Sequence, residues 1–335
     1  MAQDETQPPS LTQRLKSPWT RLTHWFGERS PAQAAAGFLT LGGLIVIVGL
    51  LVRQGVIQNV PSSIVFVIDE LYSNAGVELL SIGLTVLVID SLNRRQAEKE
   101  RIVIEEANRQ RAEAERKAEL ILQLGSPDNG FAREAARLLR HKGWLTDGSL
   151  QGASLIEANL QGEDLFGANL KGAKLLEANL QGTYLYDANL QEAELSGTNL
   201  QGADLQIANL QGAELRVANL QGANLRWANL QKANLRAANL KEANLIEANL
   251  QGARLIEANL QKADLSEANL QGVNLRGVSL QEADLRWVNL QGTNLQGTEF
   301  DENTILPDRT KWSPGRDMRE FTHPEEWKAE QDAKE

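Results

Sequence analysis

The chain has 335 residues, 34 basic and 44 acidic, with a formal net charge of −10, three histidines and no cysteine. Disulfides and thiolate metal sites are therefore excluded, and the acidic balance argues against a general nucleic-acid binder, which would carry a basic surface. Its length accommodates about two domains, and a hydrophobic content of 42% suits a folded body.

Residues 1–31 hold Pro8, Pro9, Pro18 and Pro31 with Arg14, Lys16, Arg21 and Arg29, and are expected to form an N-terminal arm. From Ala32 to Val52 there is no charge, and the run is long enough to cross a ~30 Å hydrocarbon core as a helix. A cleaved signal peptide fits less well, because the run starts late and lacks a small-x-small site after it. A second apolar run, Leu79 to Ile89, is bracketed by Glu78 and Asp90; counted from Asn74 to Leu92 it reaches about nineteen residues, close to the length of a span. We therefore expect a membrane anchor over 32–92, with spans at about 32–52 and 74–92. Glu78 and Asp90 read as helix-end residues at headgroup depth, with no base expected beside them to complete a relay. Basic residues flank the two runs at Arg14, Lys16, Arg21 and Arg29 and at Arg94, Arg95, Lys99 and Arg101, whereas the loop between has only Arg53 and carries Asp69 and Glu70. This asymmetry places both termini in the cytoplasm.

Residues 93–124 are rich in Ala, Glu, Arg and Gln, without Gly or Pro, and predict a helical stalk with pairs such as Glu105/Arg109 and Glu113/Lys117. Ile104, Ala107, Ala114, Ala118 and Ile121 fit a heptad seam, interrupted by Arg111, through which two copies would associate as a homo-oligomer. Gly125 to Gly130 break the helix, and Phe131 to His141 predict a short amphipathic one ended by Gly143. Residues 125–145 are expected to cap the leucine-rich stretch beyond residue 145, with Trp144 covering its open end.

Between Leu150 and Leu295 every fifth residue is leucine, and Phe300 and Ile305 continue the series. Two before each leucine stands mostly Ala, and one before it mostly Asn or Asp, as in Ala208-Asn209-Leu210 and Ala263-Asp264-Leu265. A period of five belongs neither to a helix nor to a flat strand and predicts a solenoid over 146–305, whose repeats bury their apolar faces only by stacking.

The unit Ala-(Asn/Asp)-Leu-x-x resembles the pentapeptide repeat family. That resemblance implies an all-β solenoid, a right-handed quadrilateral β-helix of four pentapeptides per coil with leucine inside. About eight coils at ~4.8 Å would give a rod of roughly 38 Å. The stretch from Ala118 to Leu150 is similar to the region ahead of the repeats in membrane-anchored bacterial members of the family, which implies a bacterial membrane, the inner or another, and the two apolar runs then predict a multi-pass protein there. Thr304 to Trp312 resembles a tail common after such repeats, although Gly often stands where this chain has Arg309. Phe300, Leu306 and Trp312 are expected to close the last coil, and 306–335 to form the C-terminal cap and tail.

His24, His141 and His323 lie in three separate segments, and the glycines recur at repeat corners, so neither a catalytic triad nor a phosphate loop can be assembled. We expect no enzyme, no cofactor and no metal. The expected role is a membrane-tethered scaffold for an unidentified protein partner, with no nucleic acid bound. Two alternatives come from the resemblance: a part in envelope transport or glycolipid deposition, as for some cyanobacterial members, and a DNA-mimicking topoisomerase inhibitor. The second is weakened by the 11 bases that stand against 17 acids in residues 150–300, because the bases fall in columns.

With four pentapeptides per coil, residues twenty apart share a column. Phe166, Tyr184, Tyr186, Trp227 and Trp287 then gather on or beside one face together with Arg226 and Arg286, and this is the candidate partner-binding face, since exposed aromatics beside Arg are hot-spot chemistry. The opposite face, with Arg216, Arg236 and Arg276, is the alternative and would also suit anionic headgroups.

Overall fold

The computed structural model of the protein describes residues 30–57, 61–70, 72 and 77–334. The arm up to residue 29 and positions 74–76 of the second apolar run lie outside the described residues. The chain divides into two compact units, Met1–Gln110 and Arg111–Glu335.

In the first unit, helix α1 spans Pro31–Arg53. Its start is specified by Ser30, whose hydroxyl accepts from the Gln33 N–H while its own N–H donates to the Gln33 side chain. Pro31 follows, at a position where no N–H is needed. At ~1.5 Å per residue, its 23 residues extend roughly 34 Å. Among the described residues, Ala32–Arg53 is the one helix long and apolar enough to cross a membrane. The buried residues of α1 are Ala35, Gly42 and Gly49, seven apart and so on one stripe. Small residues on such a stripe let a neighbouring backbone approach closely. A side chain at Gly49 would strike Tyr72, and a Cβ at Gly83 would lie 3.1 Å from the backbone nitrogen of Leu39.

The loop after α1 contains an unexpected helix α2, Ser62–Glu70, which packs against α1 and leaves Ile64, Phe66 and Val67 exposed. Helix α3, Val77–Leu124, joins the second apolar run and the stalk without a break. Asp90 has a base after all, Arg94 at 2.8 Å one turn along. Every residue from Ser91 to Arg116 is exposed.

The second unit is built on the repeats. The last turns of α3 bury Leu120 and Leu124 under the first coil, so the cap begins earlier than residue 125. Ile121, expected on a heptad seam, packs against the same core. Lys117, expected to pair with Glu113, instead donates to Asp147 at 2.9 Å. Helix α4, Asn129–His141, is capped by Asp128, which accepts from the Gly130 N–H at 2.7 Å, and it buries Ala132, Ala135, Ala136 and Leu139. Gly143, at φ 73, ends it, and Trp144 is buried in the core beneath Lys117, whose ammonium lies 4.9 Å from the ring centre.

Each repeat then makes the same turn. The alanine N–H donates to the leucine carbonyl three residues back, as from Ala158 to Leu155 at 3.2 Å, and the residue two after each leucine has positive φ. That combination is a type II turn. Between coils the leucine N–H donates to a carbonyl in the next coil, as from Leu160 to Asn179 at 2.8 Å, and the asparagine N–H donates to the previous coil, as from Asn179 to Ala158 at 2.9 Å. Parallel pairs separated by twenty residues run from Ser154 with Lys174 to Ser279 with Glu299, which makes four pentapeptides per coil. Leucines and alanines fill the axis, nearly all of them inaccessible. Where Thr replaces Ala, its buried hydroxyl is satisfied: Thr183 donates to the Leu160 carbonyl and Thr198 to that of Leu175, both at 2.8 Å.

The series changes register at its end. Asp284 pairs with Ile305, so Leu306 and not Ile305 occupies the inward position; Leu306 is inaccessible and Ile305 is half-buried. Phe300 stacks on Trp312 with ring centres 5.9 Å apart, and Ile305 pairs antiparallel with Lys311. Met318 and Phe321, on and just before the short helix α5, Arg319–Thr322, also pack on the core. A last helix α6, Pro324–Asp332, comes after it. Arg309 is itself left-handed, at φ 69, which is the conformation a Gly would adopt there without cost.

Candidate partner-binding faces

The four sides of the coil fall into two kinds. Two opposite sides are amide ladders. On one, Asn179 donates to Asn159, Asn199 to Asn179, Asn219 to Asn199 and Asn239 to Asn219, at 3.0–3.3 Å. On the other, Gln191 donates to Gln211 at 3.0 Å, and Gln231 and Gln251 continue the series to Gln271. The Asn oxygen also accepts from the backbone two residues on, as from Gln181 N–H to Asn179 at 3.2 Å, which caps each turn and explains why Asn or Asp recurs before the leucine. On these sides the side chains serve the solenoid itself.

The other two sides vary. On the aromatic face, Phe166 and Tyr186 stack with centres 5.7 Å apart and planes 7° from parallel. Phe166, Tyr184, Trp227 and Trp287 are exposed, and Tyr186 is half-buried. The Arg226 guanidinium lies 3.9 Å from the centre of Trp227 and 3.6 Å from the Glu247 carboxylate. Arg286 lies 5.6 Å from Trp287 and holds Asp284 at 2.6 Å; its hydrogen bond to Asp284, reinforced by the charge, pushes the guanidinium pKa up. These candidate residues thus share one side, in two clusters: Phe166, Tyr184 and Tyr186 near the first coils, and Arg226 to Trp287 beyond.

Two features of this face were missed in the sequence. The left-handed position two after each leucine is mostly Gly, Glu or Lys, but this face places Ile207, Trp227 and Trp287 there, at φ 59–60. A bulky or β-branched residue is costly at positive φ, and such strain concentrates at functional sites. Arg309 from the cap also adds a second guanidinium, 5.9 Å from Trp287. Arg309 lies twenty-two residues beyond Trp287, past the register change, so the columns of residues twenty apart gave no signal for it.

On the basic face, Arg216, Arg236 and Arg276 are exposed, with Val217 exposed and left-handed at φ 58. Arg236 approaches Glu257 at 3.5 Å. A further groove of about 600 Å³ lies at the C-terminal cap, between Gly292–Gln296 and Asp317, Met318, Arg319, His323 and Glu326. Among the described residues, no three His, Cys, Asp or Glu side chains converge as a metal site.

The geometry defines a quadrilateral β-solenoid with two structural and two variable sides. Residues 164–202, 198–236, 233–272 and 268–302 match the pentapeptide repeat model, in eight copies, and the chain belongs to the pentapeptide repeat family, whose fold is a right-handed β-helix. Three solved structures are similar. A pentapeptide repeat protein of the Arabidopsis thaliana thylakoid lumen is 28% identical, over 28% of this chain and 66% of that one, with a TM-score of 0.28. QnrB1, a plasmid-mediated fluoroquinolone resistance protein, is 23% identical, over 45% and 86%, with a TM-score of 0.31. HetL, a pentapeptide repeat protein involved in heterocyst differentiation regulation from the cyanobacterium Nostoc, is 33% identical, over 48% and 86%, with a TM-score of 0.19. No curated protein matches the chain.

Proposed function

We propose that the protein is a non-catalytic interaction scaffold, tethered to a membrane by its N-terminal helices, whose β-helix offers its aromatic face to a protein partner in the cytoplasm. The observation that carries this reading is the segregation of side chains. Every aromatic residue between 150 and 299 lies on one side of the coils, where most of the strained bulky residues also stand. With two sides taken up by amide ladders, aromatics needed only for stability would be free to fall on either of the two variable sides, which make the same backbone ladder, yet they stand on one of them.

The tether reading draws on α1 and on the close approach of Gly83 to Leu39, which suits a second apolar helix packed beside the first in lipid. The pair of Asp90 with Arg94 fits a helix end at headgroup depth. The basic flanks favour two crossings with both termini inside.

A reporter active only in the cytoplasm, fused to the C-terminus, should be active, and one active only outside, placed in the 53–73 loop, should also be active; the reverse pattern would overturn the topology. Replacing Arg226, Trp227, Arg286 and Trp287 together with Ser should abolish capture of the partner that the wild-type chain retains. Capture that survives this change, yet is lost on replacing Arg216, Arg236 and Arg276, would move the site to the basic face.

A further inference from the structure

We propose that the end of the aromatic face nearest the first coil holds a basic segment of the partner protein, with an Arg or Lys side chain against Tyr184 and an apolar neighbour on Phe166 or Ile207. This rests on the aromatic face being the partner site and adds the chemistry of what it takes.

Asp164, Tyr184 and Asp204 are consecutive partners in the coil-to-coil ladder. Side chains so placed point the same way about 4.8 Å apart, which sets an exposed phenol ring between two carboxylates. A cation over that ring gains the ring quadrupole within ~6 Å and a charge-assisted hydrogen bond from either neighbour. The chain already lodges one guanidinium in this column, because Arg140 of the cap holds Asp164 at 2.8 Å. Two coils further, among the described residues, Asp204 accepts only from Gln206, through its N–H at 3.2 Å and its side chain at 3.1 Å. Neither Asp204 nor the exposed Asp187 makes an ion pair among the described residues.

The charge pattern selects the occupant. The coils' own bases on this face are committed, Arg226 to Glu247 and Arg286 to Asp284, and the cap's Arg309 stands at the far end beside Trp287, so the free charge at the first coils is negative. The exposed apolar surface beside it comes from Phe166 and Ile207. A purely cationic chain would leave that surface uncovered, and an acidic one would be repelled; a basic segment with apolar residues satisfies both.

The repeat's own repertoire supplies variants that keep the fold. Asn stands at 224 and 244 in the column of Asp204, and Gly at 167 in the column of Asp187. The probe is a fluorescein-labelled peptide of alternating Arg and Leu, titrated by anisotropy against the full chain in detergent. Replacing Asp187→Gly with Asp204→Asn, or Tyr184→Asn alone, should weaken binding about tenfold. Glu242→Gly with Glu282→Gly removes the same charge from an amide side and should change nothing. Equal weakening by that control pair, or equal binding of a Glu–Leu peptide, would overturn the inference. If the Asp and Tyr variants bind the probe normally while the Arg226, Trp227, Arg286 and Trp287 variant still loses the native partner, this inference fails and the partner site stands. If that variant retains the native partner, the partner site itself is wrong.

Discussion

Asp284 pairs with Ile305, twenty-one residues along the chain, where every earlier pair of the ladder is separated by twenty. The extra residue is taken up at Asp301–Asn303, where the Asp301 carboxylate accepts the N–H groups of Asn303 and Thr304 at 3.1 and 3.0 Å. Leu306→Ala should therefore destabilise the chain by about 2–5 kcal/mol, and Ile305→Ala by well under half of that. Chemical denaturation of both variants checks this; a larger loss at Ile305 would restore the uninterrupted register.

In the middle of the rod, Leu225 is inaccessible while Gln221 stands on an amide side. Leu225→Asp places a carboxylate where no water or base can reach it, at a cost of several kcal/mol, and the stacked core cannot relax around it. Gln221→Asp should be close to neutral. Equal melting temperatures would refute the inward assignment.

The left-handed turn position makes a third test. Val217 is exposed at φ 58, so its side chain contributes little packing while its backbone is strained. Val217→Gly should stabilise by about 1 kcal/mol, the αL strain removed less the extra entropy of the unfolded glycine. Gly222→Val should destabilise by a similar amount, because φ is 65 there and a Cβ would meet nothing within 4 Å, leaving only the backbone to object. If the two variants moved stability in the same direction, strain would not be the cause.

Acid should open the C-terminal cap. Burial raises the Asp301 pKa, but the hydrogen bonds from Glu282, Thr304 and Asn303 outweigh it and hold the carboxyl below its ordinary value. A folded-state value below the unfolded one means a contribution that is complete above about pH 4 and is lost as pH falls through the depressed folded value. Asp308 adds to this in the same sense: burial raises it, while Thr310 and Arg316 bring it below the usual range. Pepsin cleavage near Leu306, followed by mass spectrometry from about pH 5 to pH 2, should rise within that window. Asp301→Asn should be cleaved already at the upper end; identical profiles for both chains would count against this role of Asp301.

The inward leucines were legible because their five-residue pattern repeats many times and one buried position per turn tolerates little else; the coil of twenty residues came from the family resemblance alone, and the segregation of aromatics followed from that coil. What was not legible depended on single contacts. Leu120 and Leu124 look like any apolar residues of a long helix, and only the first coil resting on them makes them a cap. Ile305 and Leu306 are equally apolar, so the choice between them fell to the Asp301 turn. Helix α2 was hidden in a nine-residue segment whose packing on α1 decides its form. On the aromatic face, membership of the column followed once the resemblance supplied four repeats per coil, whereas the stacking of Phe166 on Tyr186 and the second guanidinium at Trp287 required coordinates.

The constant step of twenty residues between paired positions also governs how such a chain tolerates changes of length. Gain or loss of one whole coil between Trp227 and Trp287 would move the two rings apart or together along the axis and leave both pointing to the same side. Gain of half a coil would carry Trp287, and everything after it, round to the side of Arg216 and Arg236. A single pentapeptide would turn it onto an amide ladder and break the Asn and Gln series there. Length variation in this protein is thus quantised, with whole coils adjusting reach and any smaller unit scrambling what each side displays.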